Sequence, residues 1–167
     1  RLLLCLLLLL CLERWRRVNH GLQFAVAHHL LHHVEAAHEL LDLLAAAKAG
    51  DGAIIVLLDA DDDCPVELAR DLAARVAEVA PHVHSSVVIA KHEYEAWLLA
   101  GANSLAGRRG LPDDLQAPSD AEALRDAKGW LSQRIRNGRY HEVSDQPALT
   151  AVLDIEAAVA GSRSFRK

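Results

Sequence analysis

The run Ile54-Ile55-Val56-Leu57-Leu58, followed at once by Asp59, Asp61, Asp62 and Asp63, constrains this chain more than any other feature. Five apolar residues bounded upstream by Gly50-Asp51-Gly52 are too short for a helix and show no alternation. A strand of that kind is buried on both faces, as in parallel sheets. In open α/β sheets the ligand sites lie just beyond the carboxyl ends of the strands. The sequence therefore puts a cluster of carboxylates where such a fold does its chemistry.

The rest of the chain fits around that strand. Leu2 to Arg17 is Leu-rich without Pro or Gly and reads as a buried helix. Asn19-His20-Gly21 breaks it, and Leu22 to Ala27 reads as a short strand. Leu30, Val34, Ala37, Leu41 and Leu44 recur at helical spacing. After the acidic loop, Pro65 suits a helix start, and Leu68, Leu72, Val76 and Val79 form an apolar stripe that Pro81 stops. Ser85 to Ala90 is a further buried strand, Glu93 to Leu105 a helix ended by Gly107, and Ala121 to Ile135 another helix. A loop is expected around Gly138 to Pro147 and a short helix near Leu149 to Ala160. Alternating strands and helices predict one α/β domain over the 167 residues, a parallel sheet between helices.

Asp59 and Asp61 are the strongest metal candidates, with Asp63 equally suited to cap the next helix or to join them. Carboxylates one residue apart in an extended turn can share a hard cation such as Mg²⁺. Glu93 and Glu95 follow the next strand in the same way, as a further ligand or a general base. On one helix they would diverge by about 200°, so both face one ion only if the helix starts after them.

Other chemistry is poorly supported. Six of the ten histidines lie between His20 and His38, and His28/His32 and His29/His33 have metal-like spacing. His32 points away from the apolar stripe, which favours a solvated face in segment 28–38. Cys5, Cys11 and Cys64 form no CxxC pair, so neither a disulfide framework nor a cysteine zinc site follows, and a cytoplasmic location is expected. The apolar run Leu2 to Leu12 is shorter than the ~20 residues of a spanning helix, so no membrane partner is expected. A net charge of −5 gives no general attraction to nucleic acid. The basic residues from Arg108 to Lys167 are scattered among acids; surface solvation is their default, with some available to phosphates near the acidic edge.

Four phrases stand in order along the chain: LLDADDDCP from Leu57, KHEYEAWLL from Lys91, DAKGWLS from Asp126 and SDQPALT from Ser144. Together they resemble the bacterial Toprim-like family known as domain of unknown function 4276, over roughly residues 35–167. Residues 1–34 match weakly, and 148–167 read as a C-terminal extension. The resemblance implies a Toprim-type fold, whose topoisomerase, primase and nuclease members hold Mg²⁺ with one glutamate after the first strand and an Asp-x-Asp after a later one. Asp59 and Asp61 match that Asp-x-Asp, and Glu93 and Glu95 the family's own acidic motif. Asp126, Lys128, Trp130, Asp145 and Gln146 match further positions without an assigned role.

Relatives of this family are often linked with a neighbouring ATPase in phage-defence-like systems, which implies an ATPase partner besides nucleic acid. Such chains usually open with a strand carrying the first glutamate. Here the sequence opens inside the Leu-rich helix that follows it, and Glu13 is at the wrong end to substitute. The expectation is a Mg²⁺-dependent, nuclease-like phosphodiester-processing domain, N-terminally truncated and inactive as residues 1–167 alone. Two alternatives stay open: a haloacid-dehalogenase-like phosphatase with Asp59 as nucleophile, and a non-catalytic module that binds an ATPase.

Overall fold

A computed structural model describes residues 24–27 and 53–167 except Asn137, and only the backbone of residues 24–27, 53, 54 and 79. The helix expected over Leu2 to Arg17, the helical pattern from Leu30 to Leu44 and the His-rich segment 28–38 lie outside the described residues. Three strands, β1 (Phe24–Ala27), β2 (Ala53–Asp59) and β3 (His84–Ala90), form one open sheet in that order. β1 and β2 pair in parallel, with Phe24 opposite Ala53 and Ala27 opposite Val56. The expected strands are thus present and the α/β class with a small parallel sheet holds.

The described residues divide into two compact units. The first holds those up to Leu58 together with Asp63–Ile89, and therefore most of the sheet. Its helix α1 (Pro65–Val79) connects β2 to β3. Pro65 stands in the first turn, where a missing N–H costs nothing. Leu72 and Val76 are buried and Leu68 half-buried, so the stripe read from the sequence faces the interior. Asp63 does not cap this helix: the N-cap is Cys64, without a side-chain bond, and Asp63 is exposed.

The second unit comprises Asp59–Asp62 and Ala90–Lys167. It gathers α2 (Glu95–Ala100), α3 (Ala127–Ser132), α4 (Glu142–Thr150) and α5 (Ile155–Gly161), with 3₁₀ turns at Ala102–Leu105 and Ala121–Ala123. α2 is its axis: Glu95 to Leu99 are all buried, and α3, α4, α5 and the second 3₁₀ turn pack on it. A helix hydrophobic nearly all round belongs in the centre of a core. Gly161 lets α5 approach closely, since a Cβ there would stand 2.9 Å from the Ala100 carbonyl oxygen.

Three expected boundaries move, each for a local reason. The helix read as Glu93 to Leu105 breaks at Gly101, whose carbonyl accepts both the Ser104 N–H at 3.0 Å and its hydroxyl at 2.7 Å. The helix read as Ala121 to Ile135 splits because two aspartates each begin an element. Asp120 accepts from Glu122 and Ala123 N–H, and Asp126 from Gly129 N–H. The loop expected through Pro147 is instead most of α4, which tolerates the proline inside it. Asp145 fixes that helix by accepting the N–H of its N-cap residue, His141, at 2.8 Å.

Leu98 is fully buried in α2 and Val66 is 62% exposed on α1. Denaturant unfolding of Leu98→Ala should show a loss of about 2–5 kcal/mol. Val66→Ala should stay within about 0.5 kcal/mol of wild type. Equal effects of the two would contradict this core.

Candidate functional site: a buried carboxylate centre at the end of the sheet

Where β2 ends, the chain keeps its pairing with the segment after β3. Ala60 N–H donates to the Ala90 carbonyl at 2.9 Å and Asp61 N–H to that of His92 at 3.0 Å. Asp61 and His92 both have positive φ, 48° and 65°, an uncommon backbone for residues with a side chain. His92 Nδ1 lies 2.7 Å from the Asp61 carbonyl oxygen, closing a clasp between the two segments. Such strain persists only where the surroundings over-determine it, and it gathers at functional sites. The clasp brings the Asp59 loop and the Glu93-Tyr94-Glu95 segment together.

Asp59 Oδ1 accepts the Tyr94 N–H at 2.8 Å. Glu95, fully buried at the start of α2, is the centre of the cluster. Its Oε1 accepts from the Tyr140 hydroxyl at 2.7 Å and from the Gln146 amide at 2.9 Å. Its Oε2 has no hydrogen-bond partner and lies 3.9 Å from Lys128 Nζ. The same ammonium lies 4.0 Å from Glu93 Oε1 and 3.5 Å from Glu142 Oε1.

Glu93 precedes α2, as the geometry for two converging glutamates requires, and its Oε2 accepts the N–H groups of Ala127 and Lys128 at 2.8 and 3.3 Å. That contact fixes the start of α3 and hence the position of Lys128. Asp126 caps the same helix through Gly129 N–H at 2.7 Å, and a side chain at position 129 would collide with its carboxylate.

Burial pushes the Asp59 carboxyl up from 3.8 to about 7. The nearby Glu95 charge adds to that rise and Asp61 adds a little more, against the pull of Lys128 and the Tyr94 N–H. Burial likewise raises Glu95, opposed by Lys128 and the Tyr140 hydroxyl. For Lys128, burial alone would lower the value, but Glu95, Glu142, Glu93 and Asp59 outweigh it and hold the ammonium above its usual range. Tyr140 is raised by burial and by Glu95, so it stays a donor.

Asp61 is exposed at the rim, and Asp62 is exposed and ion-paired with Arg125. Asp63 belongs to the first unit. The structure thus brings Asp59, Glu93 and Glu95 into one electrostatic cluster, with Asp61 one residue away from Asp59. Lys128, Tyr140 and Gln146 complete it. Lys128 and Gln146 lie inside the DAKGWLS and SDQPALT phrases, which were the only signal for them; Tyr140 lies outside both and had none. Among the basic residues, Arg109 holds the buried Asp145 at 2.6 Å, and Arg134 lies 3.6 Å from the centroid of the Trp130 ring. They are structural rather than merely solvated.

Oxygen donors in this arrangement suit a hard cation, and the unpartnered Oε2 of Glu95 is the atom that most needs one. Among the described residues, no group of three or more His, Cys, Asp or Glu is placed to hold a metal ion. Mg²⁺ is commonly bound by one or two carboxylates, with water and substrate oxygens supplying the rest. Asp59 and Glu95 fit that smaller donor set.

The sequence matches the model of the family Domain of unknown function (DUF4276) over residues 12–167. The chain belongs to this family. The match begins upstream of the stretch where the resemblance was expected to start, and it spans all four phrases, three of which supply the carboxylate cluster. No curated protein and no solved structure matches the chain. Among the described residues, no helix of this DUF4276 member is long and apolar enough to cross a membrane.

Asp59 holds an extra proton in the folded state between about pH 4 and about pH 7. The stability this contributes is present at low pH and lost as pH rises through about 7. Chemical denaturation across that window, in chelator, should show Asp59→Asn gaining stability relative to wild type as pH rises. A difference between the two proteins that does not vary with pH would contradict the environment described for Asp59.

Proposed function

We propose that this domain is a Toprim-like, Mg²⁺-dependent phosphodiester-processing module of nuclease type. Asp59 and Glu95 would hold the cation, with Asp61 at the rim able to reach it through water. When bound, the cation supplies charge stabilisation for phosphoryl oxygens and lowers the pKa of a water. The observation that carries the reading is the buried, unpartnered Oε2 of Glu95 beside an Asp59 whose acidity is already weakened.

The chain's own residues have separable tasks. Glu93 fixes α3 and so sets Lys128 among the carboxylates. Tyr140 and Gln146 hold Glu95 Oε1, which leaves Oε2 as the face presented to an incoming cation. Lys128, a point charge with three donors, can move from its carboxylates to a non-bridging phosphate oxygen as the substrate arrives. Association with an ATPase in a defence-like system, and a cytoplasmic setting, belong to the same proposal through the family resemblance.

One observation favours a second reading. Lys128 already compensates Glu93, Glu95 and Glu142, so the network is balanced without a metal. That would suit a fold kept for binding a partner rather than for catalysis. Cleavage of DNA and RNA strands by the full-length protein separates the two. With Mg²⁺, wild type should cut, and Asp59→Asn or Glu95→Gln should lower the rate by about 10²-fold or more. Cutting that is unchanged in both variants would overturn the assignment. A trapped aspartyl-phosphate at Asp59 would instead establish the phosphatase alternative.

A further inference from the structure

An open pocket of about 630 Å³ lies in the second unit, between the start of α3 and the start of α4. Its volume is in the range that takes a nucleotide-sized ligand. Lys128, Tyr140, Asp126, Glu142, Arg139 and His141 are among the residues that line it. Two of these also hold the carboxylate centre: the Tyr140 hydroxyl bonds Glu95 Oε1, and Lys128 faces Oε2. The pocket and the centre therefore share a wall.

The charges in the pocket are unequally engaged. Asp126 is occupied as the cap of α3, and Glu142 by Lys128. Arg139 and His141 are exposed, and their side chains make no hydrogen bond or ion pair with any described residue. His141 is the N-cap residue of α4, yet its side chain does no capping; Asp145 secures that turn through the backbone. So the acids here are engaged, while the two groups without partners are a guanidinium and an imidazole. A guanidinium fork matches phosphate oxygens bidentately.

We infer that this pocket is a phosphate subsite, in which Arg139 and His141 hold a phosphate group of the substrate strand next to the bond presented at Asp59 and Glu95. The inference rests on the phosphodiester reading above and names what that site recognises. It also gives a purpose to the shared wall: a strand anchored by one phosphate lays its neighbouring phosphodiester against Lys128.

The test is binding in chelator, where no cutting occurs, by fluorescence anisotropy of a labelled single DNA strand. Arg139→Ala should weaken the strand about tenfold, equivalent to ~1.4 kcal/mol. His141→Ala should weaken it as well, and both variants should melt as wild type does, since neither side chain has a partner to lose. A strand with neutral methylphosphonate linkages should bind wild type and Arg139→Ala equally weakly. Competition by thymidine monophosphate would identify a free nucleotide as sufficient, and its failure would assign the subsite to the strand; either supports a phosphate site. Equal affinity of wild type and both variants for the charged strand would overturn it. Glu95→Gln should bind the strand normally in chelator, so a failure of the cutting chemistry leaves this result readable.

Discussion

Taking a carboxylate out of water costs several kcal/mol unless its oxygens and its charge are compensated. At Glu95 that compensation comes from three separate parts of the chain: the Tyr140 hydroxyl, the Gln146 amide and the Lys128 ammonium. Each has to be delivered by its own element. α3 brings Lys128, and its first N–H groups are tied to Glu93. α4 brings Gln146, and its first turn is secured by Asp145, itself held by Arg109. The arrangement of the second unit follows from keeping one acid buried, and the compensation leaves one of its oxygens without a hydrogen bond.

That leftover oxygen separates a structural cluster from a functional one. Ion-pair networks built only for stability usually satisfy their buried atoms, because an unmet acceptor costs about 1–3 kcal/mol. Glu122 shows what satisfaction looks like in the same unit. Its Oε1 accepts from the Ser162 hydroxyl and from the N–H and hydroxyl of Ser164, and those bonds outweigh burial and lower its pKa. Glu95 and Asp59 are raised instead. Two buried acids in one unit thus move in opposite directions, and only one set lies beside a pocket and a strained clasp.

The sheet and the location of the acids were legible because they rest on local signals. An unbroken apolar run ending in aspartates is a buried strand whose carboxyl end carries charge, and β2 is that strand. The same logic found β3 and the apolar stripe of α1. Helix boundaries were lost where side chains compete with the backbone, at Asp120 and Asp126, which start new elements inside one apparent helix. Pro147 misled in the other direction, because α4 is secured at its first turn and tolerates a missing N–H further along. Lys128 and Gln146 were recognisable as motif positions, yet nothing local assigns them to Glu95. They meet it across 33 and 51 residues of sequence, and only the fold supplies that contact.

The account stands or falls on whether Glu95 and Asp59 together take up a divalent cation. Titrating Mn²⁺ into the protein at neutral pH, with free ion followed by electron paramagnetic resonance, measures this without any assumption about substrate. The expected result is one site competed by Mg²⁺ and lost in both Asp59→Asn and Glu95→Gln, while Glu122→Gln retains it. Wild-type protein that leaves the free-ion signal undiminished, or variants that bind as wild type does, would show that the buried acid serves the fold alone.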